Sequence, residues 1–439
     1  MRRLFAIILC LIQIFVLLAC GKTDTTAAEG TIVKDEVGSV QSSENASPLT
    51  LITFGQSDSL QLLVAKFNKL HPDSSIDLID YTDNYSVDFD SARKRLTAEI
   101  VSGKLPDMVC FSNVSPYPYI RKGLLIDLFN FLNSDPELTV DDLAISNALA
   151  AENSVYFIDN TFYLETLLGK YTRFGDRFGW TFSEYINVDN SAESGTHTIY
   201  NITGPSFLRR IAQRYSQTAI DWDEGKCDYN NSDFIKILGA STSIRETPVD
   251  PNNPIFALGS EAVANGEMIT TLSWVNTVWK LANEEKIAGC KLSTIGWPTV
   301  DGSCGTDIYY SNPLGIFNNT GHEKDCWEFI KFMIKNAQID SPEGIPVAFE
   351  DGIPIYMPLL EEKIQRVKNS DEYPVKLTDE NVDRFFILLS HTTNIALYDE
   401  SIEKIIDAES GALFSKEKTP DEVAELIQSK VSIYLSEQS

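Results

Sequence analysis

Three short stretches of this 439-residue chain gather amides, hydroxyls and aromatic rings with few cations among them. They are Gly55-Gln56-Ser57-Asp58, Asp83-Asn84-Tyr85 and Ser112-Asn113-Val114-Ser115-Pro116-Tyr117. Amides and hydroxyls both donate and accept hydrogen bonds, and flat rings cover apolar C–H faces. Together they suit a neutral, hydroxyl-rich solute better than an anion. Gln56, Asn84, Tyr85, Ser112, Asn113 and Tyr117 are therefore the expected contacts. Catalysis has less to recommend it. There is no His-Glu-x-x-His and no Gly-x-Ser-x-Gly, and His71, His197, His322 and His391 are scattered. Cys110, Cys227, Cys290, Cys304 and Cys326 show no Cys-x-x-Cys spacing, so neither a metal site nor a cofactor is expected. Carboxylate pairs that cleave glycosides have no fixed spacing, which keeps a secreted glycoside hydrolase as the rival expectation.

Each of the three stretches follows a segment that reads as a strand. Leu49 to Gly55 alternates apolar with small polar residues after Pro48, the pattern of a half-buried strand. Leu60, Leu63, Val64, Phe67 and Leu70 then recur at helical spacing up to His71-Pro72-Asp73. Ile76, Leu78 and Tyr81 suggest a second strand. Ala92, Leu96 and Ile100 mark a second helix ending near Gly103, and Met108 to Phe111 a third strand. Strands alternating with helices imply a parallel sheet, whose ligands sit beyond the carboxyl ends of the strands. Asp107, at a loop-to-strand entry, is expected to hold local backbone amides. The later chain is more helical. Thr181 with Glu184 and Thr419 with Glu422 form capping boxes, the second with Pro420 at the first helical position.

The first 48 residues are of another kind. Arg2 and Arg3 precede an apolar run from Leu4 to Leu18 broken by Gln13, short for a membrane span but suited to an export signal. The run ends Leu17-Leu18-Ala19-Cys20-Gly21, which resembles the lipobox of bacterial lipoproteins. In that family the cut falls before the cysteine, whose sulfur receives a diacylglycerol. Residues 1–19 are thus the expected lipoprotein signal peptide and Cys20 the lipidated terminus. Residues 20–48 are poor in large apolar side chains and are expected to form a flexible tether of roughly 30 Å. About 390 residues remain, enough for two domains. A formal charge of −27 argues against nucleic acid, which demands basic patches, and leaves acyl chains as the membrane anchor.

"RLTAEIVSGKLPDMVCFS", from Arg95 to Ser112, resembles a recurring segment of the family 1, sugar-type solute-binding proteins of ABC importers. "FNKLHPDSSIDLI", "RKGLLIDLFNFL", "YNNSDFIKIL", "NGEMITTLSWVNTVW", "GWPTVDG" and "GALFSKEKTPDEVAELIQSKVSIYL" resemble further family segments in the family's order, from Leu49 to Leu435. The resemblance implies an α/β, two-lobed, periplasmic-binding-protein-like (Venus-flytrap) fold with hinge strands and a helical C-terminal tail. Residues 49–158 and 305–341 would form the first lobe, and 159–304 and 342–439 the second. It also implies Trp274 and Asn276 as cleft contacts, with Trp297 and Tyr356 as further candidates. The implied function is non-enzymatic: a carbohydrate, as sugar or oligosaccharide, is captured between the lobes and passed to the permease's transmembrane subunits. The protein would sit lipid-anchored on the extracellular face of a Gram-positive-type membrane. A ligand-binding sensor of the same fold is the other alternative. Metabolic labelling with a fatty acid should mark the wild-type chain and spare Cys20→Ala; equal labelling of both refutes the lipobox.

Overall fold

The computed structural model describes residues 47–437 apart from 200–201, 223, 247–258, 338–351 and 397. The expected signal, Cys20, most of the tether and the expected lobe boundary at 341 lie outside the described residues. In chain order the strands are β1 (Leu49–Thr53), β2 (Ile76–Asp80), β3 (Met108–Cys110), β4 (Thr161–Lys170), β5 (Ile220–Asp221), β6 (Lys226–Cys227), β7 (Thr270–Val275), β8 (Leu292–Thr294), β9 (Asp307–Tyr309), β10 (Leu314–Ile316), β11 (Ile353–Pro354) and β12 (Asn394–Ile395).

The first sheet has the order β10-β3-β1-β2. β1 runs parallel to both β2 and β3, and β10 returns antiparallel to β3, so the expected parallel β-α-β-α-β unit is present. Its first crossover helix, Asp58–Leu70, starts where the Ser57 side chain accepts from the Leu60 amide, a cap for an otherwise unpaired donor. It buries Leu60, Leu63, Val64 and Phe67, four of the five residues of the expected face, while Leu70 in its last turn is exposed. The second, Phe89–Val101, is capped by Asp88, buries Ala92 and Leu96 and is followed by Gly103 at φ +80°, where a side chain is disfavoured. Asp107 has a structural task, but it holds a distant strand rather than the local amides expected. Its Oδ2 accepts the Thr50 amide at 2.7 Å and the Thr50 hydroxyl at 2.9 Å, tying β3's entry to β1.

The second sheet is built around β4, which pairs antiparallel with β7, β8, β9 and β11, while β12 lies parallel to β9. Side chains along a strand alternate between faces, and β4 uses both. Phe162 and Leu164 enter the apolar cluster that also holds Leu49, Leu51 and the helix Glu323–Lys335. The helices Met357–Asn369 and Asp379–His391 add Leu360, Ile364, Val367, Phe385 and Leu388 to that cluster. Leu167 enters a second cluster made by Gly204–Ala219, Ser232–Ser241, Glu400–Phe414 and Pro420–Glu437. Both expected capping boxes are formed. The Thr181 amide donates to Glu184 at 2.8 Å and the Thr419 amide to Glu422 at 2.8 Å.

Two segments pass from one sheet to the other. Ile158 bridges to Leu314 of β10 three residues before β4 begins, and 310–313 joins β9 to β10. Asp159 fastens the two together. Fully buried, it accepts amides from Asn160 at 2.7 Å, Ser311 at 2.8 Å and Asn312 at 2.6 Å. Burial pushes its carboxyl up to about 6 against the pull of those amides. Asp159→Ala strands these donors, so denaturant unfolding should show a loss of roughly 3 kcal/mol; an unchanged midpoint would remove Asp159 from this role.

Candidate functional site

Asp80, at the end of β2, organises the loops that carry the first group of candidates. Its carboxylate accepts the Gly55 amide at 3.0 Å, the Thr82 amide at 2.9 Å, the Thr82 hydroxyl at 2.8 Å and the Asn84 amide at 2.9 Å. Burial works to raise it, but these bonds hold it below the usual carboxylate range. The chain beyond it makes an uncommon turn, with Asp83, Asn84 and Tyr85 all left-handed at φ 45°, 55° and 64°. Such backbone is strained for residues with a Cβ and persists only when its surroundings enforce it. The turn brings the Tyr85 hydroxyl against Gly55, at φ +115°, where a Cβ would lie 2.8 Å from that oxygen. Only glycine fits there without displacing the ring.

Between these loops and the crossing segments lies a cavity of about 560 Å³. Gln56, Ser57 and Asp58 line it from the β1 loop and Ser112 and Asn113 from the β3 loop; Tyr163, Tyr310, Ser311 and Asn312 line it from β4 and the crossing segment. Asn113 is held by its Nδ2 donating to the Phe54 carbonyl at 2.8 Å. Cys110 also lines the cavity, but burial pushes its thiol up to about 12, so it is no nucleophile. Gln56, Ser112 and Asn113 are thus brought together. Asn84 and Tyr85 stand exposed on the turn beside Gly55.

Tyr163 leads from the cavity to a face of rings. The register pairs Tyr163 with Tyr309, and Glu165 with both Trp274 and Asp307, so these side chains share one face of the second sheet. Tyr163 stacks on Tyr309 with centroids 5.3 Å apart and planes 11° from parallel. Trp274 lies 5.5 Å from the first ring and 5.4 Å from the second, and the Tyr309 and Tyr398 hydroxyls meet at 2.9 Å. Arg210, on the helix Gly204–Ala219, closes this face from the side. Its Nη1 donates to the Tyr309 hydroxyl at 2.7 Å, and its Nη2 lies 2.9 Å from Glu165 Oε2. The neighbouring Arg214 pairs with buried Asp307, and its Nη2 donates to the Cys304 carbonyl at 2.6 Å.

The other candidates are placed elsewhere. Tyr117 stacks on Trp222 of the β5–β6 turn at 4.0 Å and 2°. Asn276, just past β7, is exposed. Trp297 is buried at 3% exposure and donates from Nε1 to Glu165 Oε1 at 2.7 Å; it does not line the cavity. Tyr356 precedes the helix Met357–Asn369, bridges to Leu143 and packs against the first cluster. Sequence reasoning missed Tyr163, Tyr309, Tyr310, Ser311 and Asn312. The signals were present: an alternating Phe162-Tyr163-Leu164-Glu165, and paired tyrosines running into Ser311-Asn312. Among the described residues no metal-ligating cluster occurs, no helix is long and apolar enough to cross a membrane, and the five cysteines are free.

No protein-family model matches this chain, and no curated protein sequence matches it. Solved structures do. The sugar-binding protein MalE from Xanthomonas citri matches at 14% identity and a TM-score of 0.56, covering 89% of this chain and 98% of that one. An ABC substrate-binding protein from Listeria monocytogenes, in complex with cycloalternan, matches at 16% and 0.51, covering 89% and 99%. The galacto-N-biose-/lacto-N-biose I-binding protein of a Bifidobacterium longum ABC transporter, in complex with lacto-N-biose, matches at 12% and 0.52, covering 90% and 98%. The chain therefore has the two-lobed α/β fold expected from its sequence.

Placement of Trp297 in the second core has a measurable consequence. Trp297→Ala should cost about 3 kcal/mol or more of stability in denaturant unfolding, whereas a variant as stable as wild type would show that the ring is not part of the core.

Proposed function

We propose that this protein is the solute-binding component of an ABC importer, a non-enzymatic carrier that takes a sugar or oligosaccharide between its lobes and presents it to the permease. What carries the reading is the cavity between the first-sheet loops and the crossing segments, with its amides and hydroxyls on one side and Tyr163 leading to the ring face on the other. Gln56, Ser112 and Asn113 would bind hydroxyls while Tyr163, Trp274 and Tyr309 cover C–H faces; Asn84, Tyr85 and Asn276 would serve at the rim. Two of the similar structures hold carbohydrates, cycloalternan and lacto-N-biose. The same chemistry disfavours the hydrolase. Glu165 and Asp307, the carboxylates nearest the rings, are buried and committed to Arg210, Arg214 and Trp297. Cys20 would carry the lipid that holds the carrier on the extracellular face of a Gram-positive-type membrane. A sensor of the same fold would use the same cleft and differ only in its docking partner.

Binding would act as a population shift, since only a closed form lets one solute touch both lobes. Lacto-N-biose, cycloalternan and maltotriose, with di- and tripeptides as controls, form the panel for a thermal-shift screen. A ligand at a hundred times its Kd should stabilise the fold by roughly 2.7 kcal/mol, and small-angle scattering should show compaction at saturation. Stabilisation by peptides alone, or product formed from any oligosaccharide, overturns the proposal.

A further inference from the structure

Glu165 is a carboxylate with no exposure at all, set at the middle of β4 on the same face of the sheet as the rings. Its two oxygens are used differently. Oε1 accepts the Trp297 Nε1 hydrogen at 2.7 Å. Oε2 lies 2.9 Å from Arg210 Nη2 without the alignment of a hydrogen bond, so the contact is chiefly charge on charge. Arg210 in turn sits 5.8 Å from the Trp274 centroid and 5.9 Å from that of Trp297, and donates to the Tyr309 hydroxyl. A guanidinium whose counter-charge is Glu165 thus lies against two rings of the face.

We propose that Glu165 is the positioning residue of the ring face: its buried charge holds Arg210 against Trp274 and Tyr309, and loss of that charge, by protonation or substitution, releases the arginine and disorders the face the solute would stack on. The proposal rests on the carbohydrate-binding reading for its consequence, but not for its mechanism. Burial pushes the Glu165 carboxyl up to about 7, Arg210 opposing. A raised carboxyl favours the protonated form in the fold, so the ion pair is made as pH rises through that value and lost as pH falls through it.

The surrounding groups narrow the assignment. Tyr163 on the same strand, Tyr309 on β9 and Tyr398 beyond β12 all have hydroxyls raised by burial and stay neutral throughout. Asp307 on β9 is also raised by burial, but it is held by Arg214 and by Asn394 Nδ2 at 2.7 Å. Trp274 and Trp297 do not titrate. Glu165 and Asp307 are the two carboxylates of this face to separate, and Asp159 at the crossing segments, pushed up to about 6, is distinguished by its lower midpoint.

The test needs no ligand. Tryptophan emission of the full chain, titrated from pH 5.5 to 8.5, should show a transition with its midpoint near 7, a change of cation–π contact at Trp274. Glu165→Gln should abolish it, Arg210→Gln should move its midpoint upward, Trp274→Phe should reduce its amplitude to the part reported by Trp297, and Asp307→Asn should keep it. Two substitutions guard against one variant failing to fold. A flat wild-type profile, or a transition surviving in Glu165→Gln, overturns the proposal; so does its loss in Asp307→Asn alone. A merely structural glutamate would lower stability without producing this profile. Calorimetry with whichever of lacto-N-biose, cycloalternan or maltotriose binds should then show affinity falling about tenfold from pH 8 to pH 6 in wild type, and no such fall in Glu165→Gln. If none of the three binds, the carbohydrate reading fails while the emission titration still decides this one.

Discussion

Period-two alternation along β4 is the constraint on which this molecule depends. One ten-residue strand has to serve two environments, because it follows directly on the bridge to β10 of the first sheet and becomes the centre of the second sheet. Its even-numbered Phe162 and Leu164 satisfy the first apolar cluster. Tyr163 and Glu165 lie on the opposite face, which further along carries Leu167 into the second cluster, and they become the ring floor and the charge beside it. A one-residue slip would exchange those roles and bury the wrong set. Asp159 guards against it from just upstream, by gathering amides of both crossing segments into one carboxylate.

The charges near the floor follow from the same geometry. Burying a carboxylate is costly unless it is paired, and Glu165 and Asp307 occupy neighbouring positions on β4 and β9. The helix Gly204–Ala219 supplies Arg210 and Arg214, one turn apart, to meet them. The pairing spends both arginines on protein carboxylates. What faces the cavity is therefore polar without being cationic: amides, hydroxyls, rings and the Asp58 carboxylate. That is the physical basis for favouring a neutral, hydroxyl-rich solute over an acidic one.

Much of the first lobe was legible because its signals are local. Ser57 and Asp88 cap helices through their own next turn, Gly103 ends one, and Leu60, Leu63, Val64 and Phe67 share a face by spacing alone. Loops after parallel strands point to one end of the sheet, so Gln56, Ser112 and Asn113 could be placed together without a structure. Tyr117 and Trp297 could not be sorted the same way. An aromatic residue near a cleft can stack on a partner from a distant hairpin, as Tyr117 does on Trp222, or fill a core, as Trp297 does. Nothing within a few residues of either distinguishes those fates.

The amino-acid sequence by itself determined the parallel β-α-β-α-β start, the capping boxes and the polar, cation-free character of the loops at the end of the first sheet. Each of these rests on contacts within a few residues or on a period a single segment displays. Tertiary structure alone decided that Tyr163, Trp274 and Tyr309 form one face, that Arg210 and Arg214 are taken up by Glu165 and Asp307, and which cluster the helices Met357–Asn369 and Asp379–His391 join. Those outcomes depend on the register between strands more than a hundred residues apart. That register is settled by the packing of both faces at once rather than by either strand.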